Sequence, residues 1–249
     1  VLVAAGSAAE HYGVPSSAGV LEEVARRTLV AQFNDVDGVT RIFKEHGADI
    51  AAVIVEPVMA NIGVIPPSLD FLKALRELTE AYGSLLIFDE VVTGFRLGLG
   101  GAQDYYGVRA DIVVLGKIVG GGFPVGVVVA RKDIMENLSP LGKVFNAGTF
   151  NAHPVTIAAG LATIEVLEEG EAYRVASTAG AAIAKALEDA ASRAGLDAWV
   201  NRVESMLQIF FTKNPVVNAR TARVSDRSLY ERFHIEMRGR GVFITPSQF

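Results

Sequence analysis

Two polar residues sit where apolar runs stop. Leu85-Leu86-Ile87-Phe88 ends in Asp89-Glu90, and Ile112-Val113-Val114-Leu115 ends in Gly116-Lys117, with Gly120-Gly121-Gly122 just behind. Short, continuous apolar runs bounded by turn signals read as strands buried on both faces of a parallel sheet. In open α/β sheets the ligand lies outside the carboxyl ends of the strands, so Asp89 and Lys117 are expected to face one crevice. A carboxylate and an amine so placed suit a cofactor needing a fixed negative charge on one side and a covalent nitrogen on the other. Pyridoxal phosphate needs both: an acid partner for its pyridinium nitrogen and a lysine for a Schiff base. A lysine buried there loses solvation in its charged form, which lowers its pKa and makes the amine a nucleophile. The competing readings are a surface lysine at a loop start for Lys117, and a helix cap or ion-pair partner for Asp89. A third apolar run, Ile50 to Val55, ends in Glu56-Pro57, and the proline favours a structural Glu56 over a catalytic one.

Other chemistries fit less well. Gly116-Lys117 is followed by Ile118 rather than Ser or Thr, and the upstream glycines are misplaced for a P-loop. Gly120-Gly121-Gly122 is not the GxGxxG of a dinucleotide site. Asp89 and Glu90 are adjacent in a strand and point to opposite faces, which disfavours a shared metal, and no metal is expected. Phe145-Asn146-Ala147-Gly148-Thr149-Phe150-Asn151 is a polar turn just before a helix starting near Pro154. Backbone amides near a helix start, with the Thr149 hydroxyl, can bind an anion; an ordinary capping loop is the local alternative.

The elements that must hold these residues follow in order. Val1 to Ala5 reads as a strand and Gly6 to Gly19 as a loop, either a lid or a plain connection. Leu21 to Thr28 is a short helix and Leu29 to Phe33 a strand. Val36 to His46 is a helix closed by Gly47. Ser68 caps the next helix, with Phe71, Leu75, Leu78 and Tyr82 on one face and Gly83 as its stop. Pro124 to Ala130 reads as a strand, Arg131 to Leu138 as a short helix and Pro154 to Glu168 as a longer one. Gly170 marks a domain boundary. Beyond it come a long helix over Glu171 to Ala194, a strand over Leu207 to Phe211, a helix over Ser225 to Arg240 and a strand over Val242 to Thr245.

Composition sets the bounds. The 249 residues are 50% hydrophobic and 20% charged, enough for a substantial core. A net charge of −5 argues against a nucleic-acid partner. The absence of cysteine excludes disulfides, thiolate metal sites and thiol nucleophiles, and the four histidines form no ligand motif. No apolar run approaches the roughly 18 residues that span a bilayer, and no signal peptide is visible. A soluble, cytoplasmic α/β protein is expected, without a membrane partner. Because Val1 and Phe249 both fall beside expected strands, the sequence reads as a fragment of a longer protein.

At four motifs the chain resembles the class III (subgroup II) aminotransferases of PLP fold type I. These are Ile54-Val55-Glu56-Pro57, the run FDEVVTGFR from Phe88 to Arg96, Leu115-Gly116-Lys117 with Gly120 to Gly122, and Gly148-Thr149. The resemblance covers essentially the whole chain. It implies an α/β fold with a mostly parallel central sheet flanked by helices, residues 1–169 forming an incomplete cofactor-binding large domain. Residues 170–249 would begin a smaller α+β C-terminal domain. Ala5-Gly6-Ser7, the stretch from Gly101 to Gly107, Phe123-Pro124-Val125-Gly126 and Pro246 to Phe249 are similar to the family's aminomutase branch. That implies intramolecular amino transfer on a small amino-aldehyde, using pyridoxal phosphate and pyridoxamine phosphate forms. An ω- or β-amino-acid transaminase with a keto-acid acceptor, and a catalytically idle binding protein on the same fold, are the alternatives.

The resemblance also implies roles. Lys117 holds the cofactor as a Schiff base and carries protons between carbons, and Asp89 pairs with the pyridinium nitrogen. Val91, on the same strand face as Asp89 if the strand continues, packs under the ring, and Asn61 lies near the ring hydroxyl. Gly148 and Thr149 reach the cofactor phosphate of the partner subunit in a homodimer with shared sites. Ser7 belongs to a loop that opens and closes, and is grouped with Glu56 on the substrate side. The phosphate loop and the ring-stacking aromatic residue would precede Val1, and an acidic residue near the substrate would follow Phe249. Met59-Ala60, Phe145, Ala8 and His153 replace residues more usual in the family and bear on the substrate.

Overall fold

The computed structural model describes residues 19, 21–25 and 27–248. The strand expected over 1–5 and the 6–19 loop, apart from Gly19, lie outside the described residues. The chain divides into two compact units. One comprises Val1–Ile42, Val58–Phe71 and Ser177–Phe249; the other comprises Phe43–Pro57 and Leu72–Ala176.

In chain order the elements are helices α1 (Glu22–Ala25) and α2 (Val36–His46), strand β1 (Ala52–Val55), helix α3 (Leu69–Tyr82), strand β2 (Leu85–Glu90), helix α4 (Gly101–Tyr106), and strands β3 (Ile112–Gly116) and β4 (Gly126–Ala130). Then follow helices α5 (Lys132–Met135), α6 (Pro154–Glu168) and α7 (Glu171–Arg193), strands β5 (Trp199–Val203) and β6 (Met206–Phe210), and helices α8 (Ala219–Arg223) and α9 (Arg227–Gly239). Short 3-10 turns occupy Gly47–Asp49 and Lys117–Gly120.

The second unit is built on a four-stranded sheet ordered β1-β2-β3-β4. β1 and β2 run parallel with Val55 opposite Phe88, and β2 and β3 run parallel with Asp89 opposite Val114. β4 returns antiparallel to β3, with Gly126 opposite Gly116. The apolar runs explain this arrangement: Leu86 and Phe88 are completely buried on one face of β2, while Leu85, Ile87 and Asp89 are half-buried on the other. Burying a Leu or Phe side chain contributes about 2 kcal/mol each. Ser68 Oγ accepts from the Phe71 amide (3.2 Å) at the start of α3, and Gly83, with a φ of 71°, ends it. Tyr82 stacks on Phe43 (5.4 Å) and lies so close over Gly47 that no side chain fits there.

In the first unit β5 and β6 form an antiparallel hairpin, with Val203 opposite Met206 and Glu204 at a φ of 51° in the turn. Its core joins Ile209, Phe211 and Tyr230. Gly170, with a φ of 76°, separates α6 from α7.

Two expected strands do not form. Residues 28–32 have no regular structure; Leu29 and Val30 are exposed, and Asn34 turns the chain with a φ of 65°. Residues 242–245 are likewise irregular, with Phe243 85% exposed and Thr245 fixed instead by Tyr230, whose hydroxyl donates to the Thr245 carbonyl (3.2 Å). Both segments are apolar, but neither has a partner strand among the described residues, and a strand without a partner leaves its backbone groups unpaired.

Candidate active site

Because β1, β2 and β3 are parallel neighbours, the residues at or just past their carboxyl ends come to one edge of the sheet. Those residues are Glu56, Asp89 with Glu90, and Lys117. Asp89 is half-buried and its Oδ1 accepts from the Val91 amide (3.1 Å); no described residue donates to Oδ2. β2 stops at Glu90, so Val91 is not on the continuing strand face expected of it but in the turn that follows. The Gly94 amide closes that turn by donating to the Glu90 carbonyl (2.8 Å). Val91 still borders the lysine: a Cβ on Gly116 would lie 3.2 Å from Val91 Cγ1. Any side chain there would press on Val91 by a few tenths of an ångström, a closeness that the adjacent strand end and lysine could have signalled.

Strand alternation puts Gly116 on the face of Asp89 and would send the next residue to the opposite face. Lys117 leaves that geometry with a φ of 50°, a left-handed conformation at the first position of its 3-10 turn. Lys117 is exposed, so the burial expected of it is not supplied by the described residues of this chain.

Glu90 points the other way and is 1% exposed. Its Oε2 accepts from the Ala102 amide (2.6 Å) and the Thr93 hydroxyl (3.0 Å). Burial pushes its carboxyl above the usual range, against the opposing pull of those two donors. Gly101, with a φ of 61°, leaves room for the carboxylate that a Cβ would occupy. Glu90 is thus a buried brace beneath Asp89. Sequence spacing gave only its face, not its partners.

Gly148 and Thr149 lie in a tight turn closed by the Asn151 amide on the Gly148 carbonyl (3.0 Å), six and five residues before α6 begins at Pro154. Thr149 is exposed. Asn61 belongs to the first unit and is exposed in a loop closed by reciprocal Met59 and Ile65 backbone bonds (3.0 and 2.8 Å). Gly63 packs in that loop beneath the Phe210 ring, and Val64 holds a φ of 56°. Ser7 lies outside the described residues. Among the described residues no group of three His, Cys, Asp or Glu could hold a metal ion. No helix among them is long and apolar enough to cross a membrane.

The residues present fit pyridoxal phosphate. A half-buried carboxylate with one oxygen uncommitted ends one strand, and an amine without an ion pair among the described residues ends its parallel neighbour. The glycine between them is pressed by Val91, which leaves no bulk at the lysine's foot.

The family model of the class-III aminotransferases matches residues 7–248. A glutamate-1-semialdehyde 2,1-aminomutase of Hyperthermus butylicus is 63% identical over 248 residues, which is 100% of this chain and 58% of that protein. An omega-transaminase from Sphaerobacter thermophilus superposes with a TM-score of 0.89 at 36% identity, over 94% of this chain and 54% of that one. A glutamate-1-semialdehyde-aminomutase from Pseudomonas aeruginosa PAO1, solved in complex with PMP, superposes with a TM-score of 0.80 at 29% identity, over 93% and 53%. The chain therefore spans a little under 60% of the length of the curated relatives it matches.

Proposed function

We propose that this chain, which belongs to the class III aminotransferases, forms part of a glutamate-1-semialdehyde 2,1-aminomutase, an isomerase of tetrapyrrole biosynthesis. The observation that carries the reading is the pair Asp89 and Lys117 at the carboxyl ends of neighbouring parallel strands, in a chain 63% identical from end to end to such an enzyme. The reaction moves an amino group from C2 of glutamate-1-semialdehyde to C1, giving 5-aminolevulinate. It is an isomerisation, so no keto acid enters and none leaves.

Bound pyridoxal phosphate, or its pyridoxamine form, supplies an electron sink for the carbon attached to the migrating nitrogen. The chain's own residues do the rest. Asp89 presents a fixed negative charge to the ring nitrogen and keeps that nitrogen protonated. Lys117 Nζ would anchor the cofactor and then, freed, act as base and acid in turn for the carbons that exchange the amino group. Val91 would pack under the ring, and the family resemblance assigns Asn61 to the neighbourhood of the ring hydroxyl. Glu56 stands on the substrate side at the third strand end. Gly148 and Thr149 bind the phosphate in the partner subunit of a homodimer. Support for that assembly comes from the exposed apolar residues around them: Phe145 and Phe150 are 81% and 78% exposed, and Val155 and Leu161 are more than half exposed. A domain boundary at Gly170 belongs to the same proposal.

The second reading, an ω-transaminase, is favoured by the TM-score of 0.89 to one. The complete protein, loaded with pyridoxamine phosphate and given glutamate-1-semialdehyde without any keto acid, separates the two. Sustained 5-aminolevulinate over many turnovers is expected. Product that forms only when a keto acid is added would establish a transaminase instead.

A further inference from the structure

Lys117 holds a left-handed backbone conformation that costs a non-glycine residue about 1 kcal/mol or more and persists only where the surroundings impose it. On its N-terminal side Gly116 is fixed by the β3–β4 register and by Val91. On its C-terminal side the element in contact is α6. A Cβ on Gly160, which is buried in α6, would fall well inside 3.0 Å of the Val119 carbonyl oxygen. A Cβ on Gly121 would collide with the Ala159 carbonyl oxygen and lie 2.6 Å from Thr163 Oγ1. The turn and the helix therefore meet backbone to backbone, and carbonyl oxygens cannot rotate aside as a side chain can. Gly121 is favoured as glycine by its φ of 57° in any case. Gly160 does not: it sits inside an ordinary helix, where glycine costs about 1 kcal/mol relative to alanine. Only the close approach of Val119 accounts for it.

We propose that Gly160 is a positioning residue for Lys117. By letting the turn Lys117–Gly120 seat directly on α6, it fixes where the amine stands relative to Asp89. The inference rests on the Schiff-base role of Lys117 proposed above.

The test is Gly160→Ala in the complete protein. The added methyl must push the Val119 carbonyl and its turn off the helix, and a misplacement of about 1 Å at a reacting group can cost about a hundredfold in rate. In the cofactor-free protein, amide exchange over 118–121 is expected to quicken about tenfold while helix content stays the same. With pyridoxal phosphate added, Schiff-base formation slows by about tenfold and the pH at which its visible band converts moves. Turnover falls with little change in KM. Thr163→Ala opens the Gly121 side of the same contact without adding bulk. It gives the same changes on a smaller scale, and decides the matter if Gly160→Ala does not fold. If exchange, Schiff-base rate and pH profile all match wild type, or the variant is simply more stable as helix propensity alone dictates, the inference is overturned. A wild type that takes up no pyridoxal phosphate overturns the functional reading instead. The exchange over 118–121 then still reports whether α6 holds the turn.

Discussion

At the amino end of β3, Asp111 has both carboxylate oxygens bonded. Its Oδ2 takes the Leu86 amide (2.8 Å) and Arg76 Nη1 (2.9 Å), and its Oδ1 takes Arg131 Nη1 (2.6 Å). At the carboxyl end of the same strands and among the described residues, Asp89 accepts only from the Val91 amide, and Lys117 has no ion pair. Both ends carry charge, so charge alone does not mark a site. The difference is saturation. A buried carboxylate whose two oxygens are both held by its own chain ties strands and helices together. A half-buried one with an idle oxygen, beside an unpaired amine, keeps its interactions for a ligand. Glu90 shows how local the distinction is: one residue from Asp89, it is 1% exposed and its Oε2 is held by the Ala102 amide and the Thr93 hydroxyl.

The largest effects should come from the unsaturated end, and they should appear in chemistry rather than stability. Lys117→Ala removes the covalent nitrogen and the proton carrier together. Turnover in the complete protein is expected to fall by at least about a thousandfold, and the visible absorption band to disappear. Lys117 is exposed, so the urea midpoint should move by no more than about 0.5 kcal/mol equivalent. Loss of folding on a similar scale would break the contrast. Asp89→Asn keeps the shape and removes the charge. Activity should drop several hundredfold, the scale of one preorganised electrostatic contact, again with folding nearly unchanged. An Asp89→Asn variant that unfolds rather than idles would place Asp89 with Asp111.

The saturated end should behave in reverse. Asp111→Ala removes the acceptor shared by the Leu86 amide, Arg76 and Arg131, and breaking a buried pair in this way costs about 3 kcal/mol. Urea unfolding of the complete protein measures it, and activity per folded molecule should hold. Its pH dependence also has a sign. Burial raises the Asp111 pKa, but the Leu86 amide and the two arginines outweigh burial and hold it below the usual carboxylate value. That contribution is complete above about pH 4, the unfolded value, and is lost as pH falls through the folded one.

What the sequence revealed follows the same division. Helices α2 and α3 were legible because a cap, glycine stops and apolar spacing are local. Strands β2 and β3 were legible as continuous apolar runs, and Asp89 and Lys117 because they end those runs. β5 was not, since Asn201 and Arg202 interrupt its apolar pattern; Asn201 is buried with its amide bonded at both ends, Nδ2 donating to the Val216 carbonyl (2.9 Å) and Oδ1 accepting from Trp199 Nε1 (2.8 Å). The opposite error occurred at Leu29 to Phe33 and Val242 to Thr245, where composition suited a strand that no neighbour pairs with. Val91 left the strand face because Gly94 and Thr93 both bond back to Glu90. The exposure of Lys117 depends on elements far apart in sequence, and no spacing encodes it.

The smallest effect sharpens the contrast most finely. Burial raises the folded pKa of Glu90, and the Ala102 amide and Thr93 hydroxyl only partly offset it. Glu90 thus binds its proton more tightly in the fold than in the unfolded chain, where a glutamate titrates near 4.3. Its contribution is complete below that value and declines as pH rises through the folded pKa, opposite in sign to that of Asp111. Glu90→Gln keeps an acceptor for Ala102 and removes the titration. The cost at pH 5 should stay within about 1 kcal/mol. Unfolding midpoints taken every half unit from pH 4.5 to 8 should show a decline in wild type that is absent in the variant, with turnover preserved. Parallel curves would mean that the fold does not perturb Glu90. A turnover loss as large as that of Asp89→Asn would show that the brace beneath the site acts in the chemistry, and that saturation fails to separate the two ends.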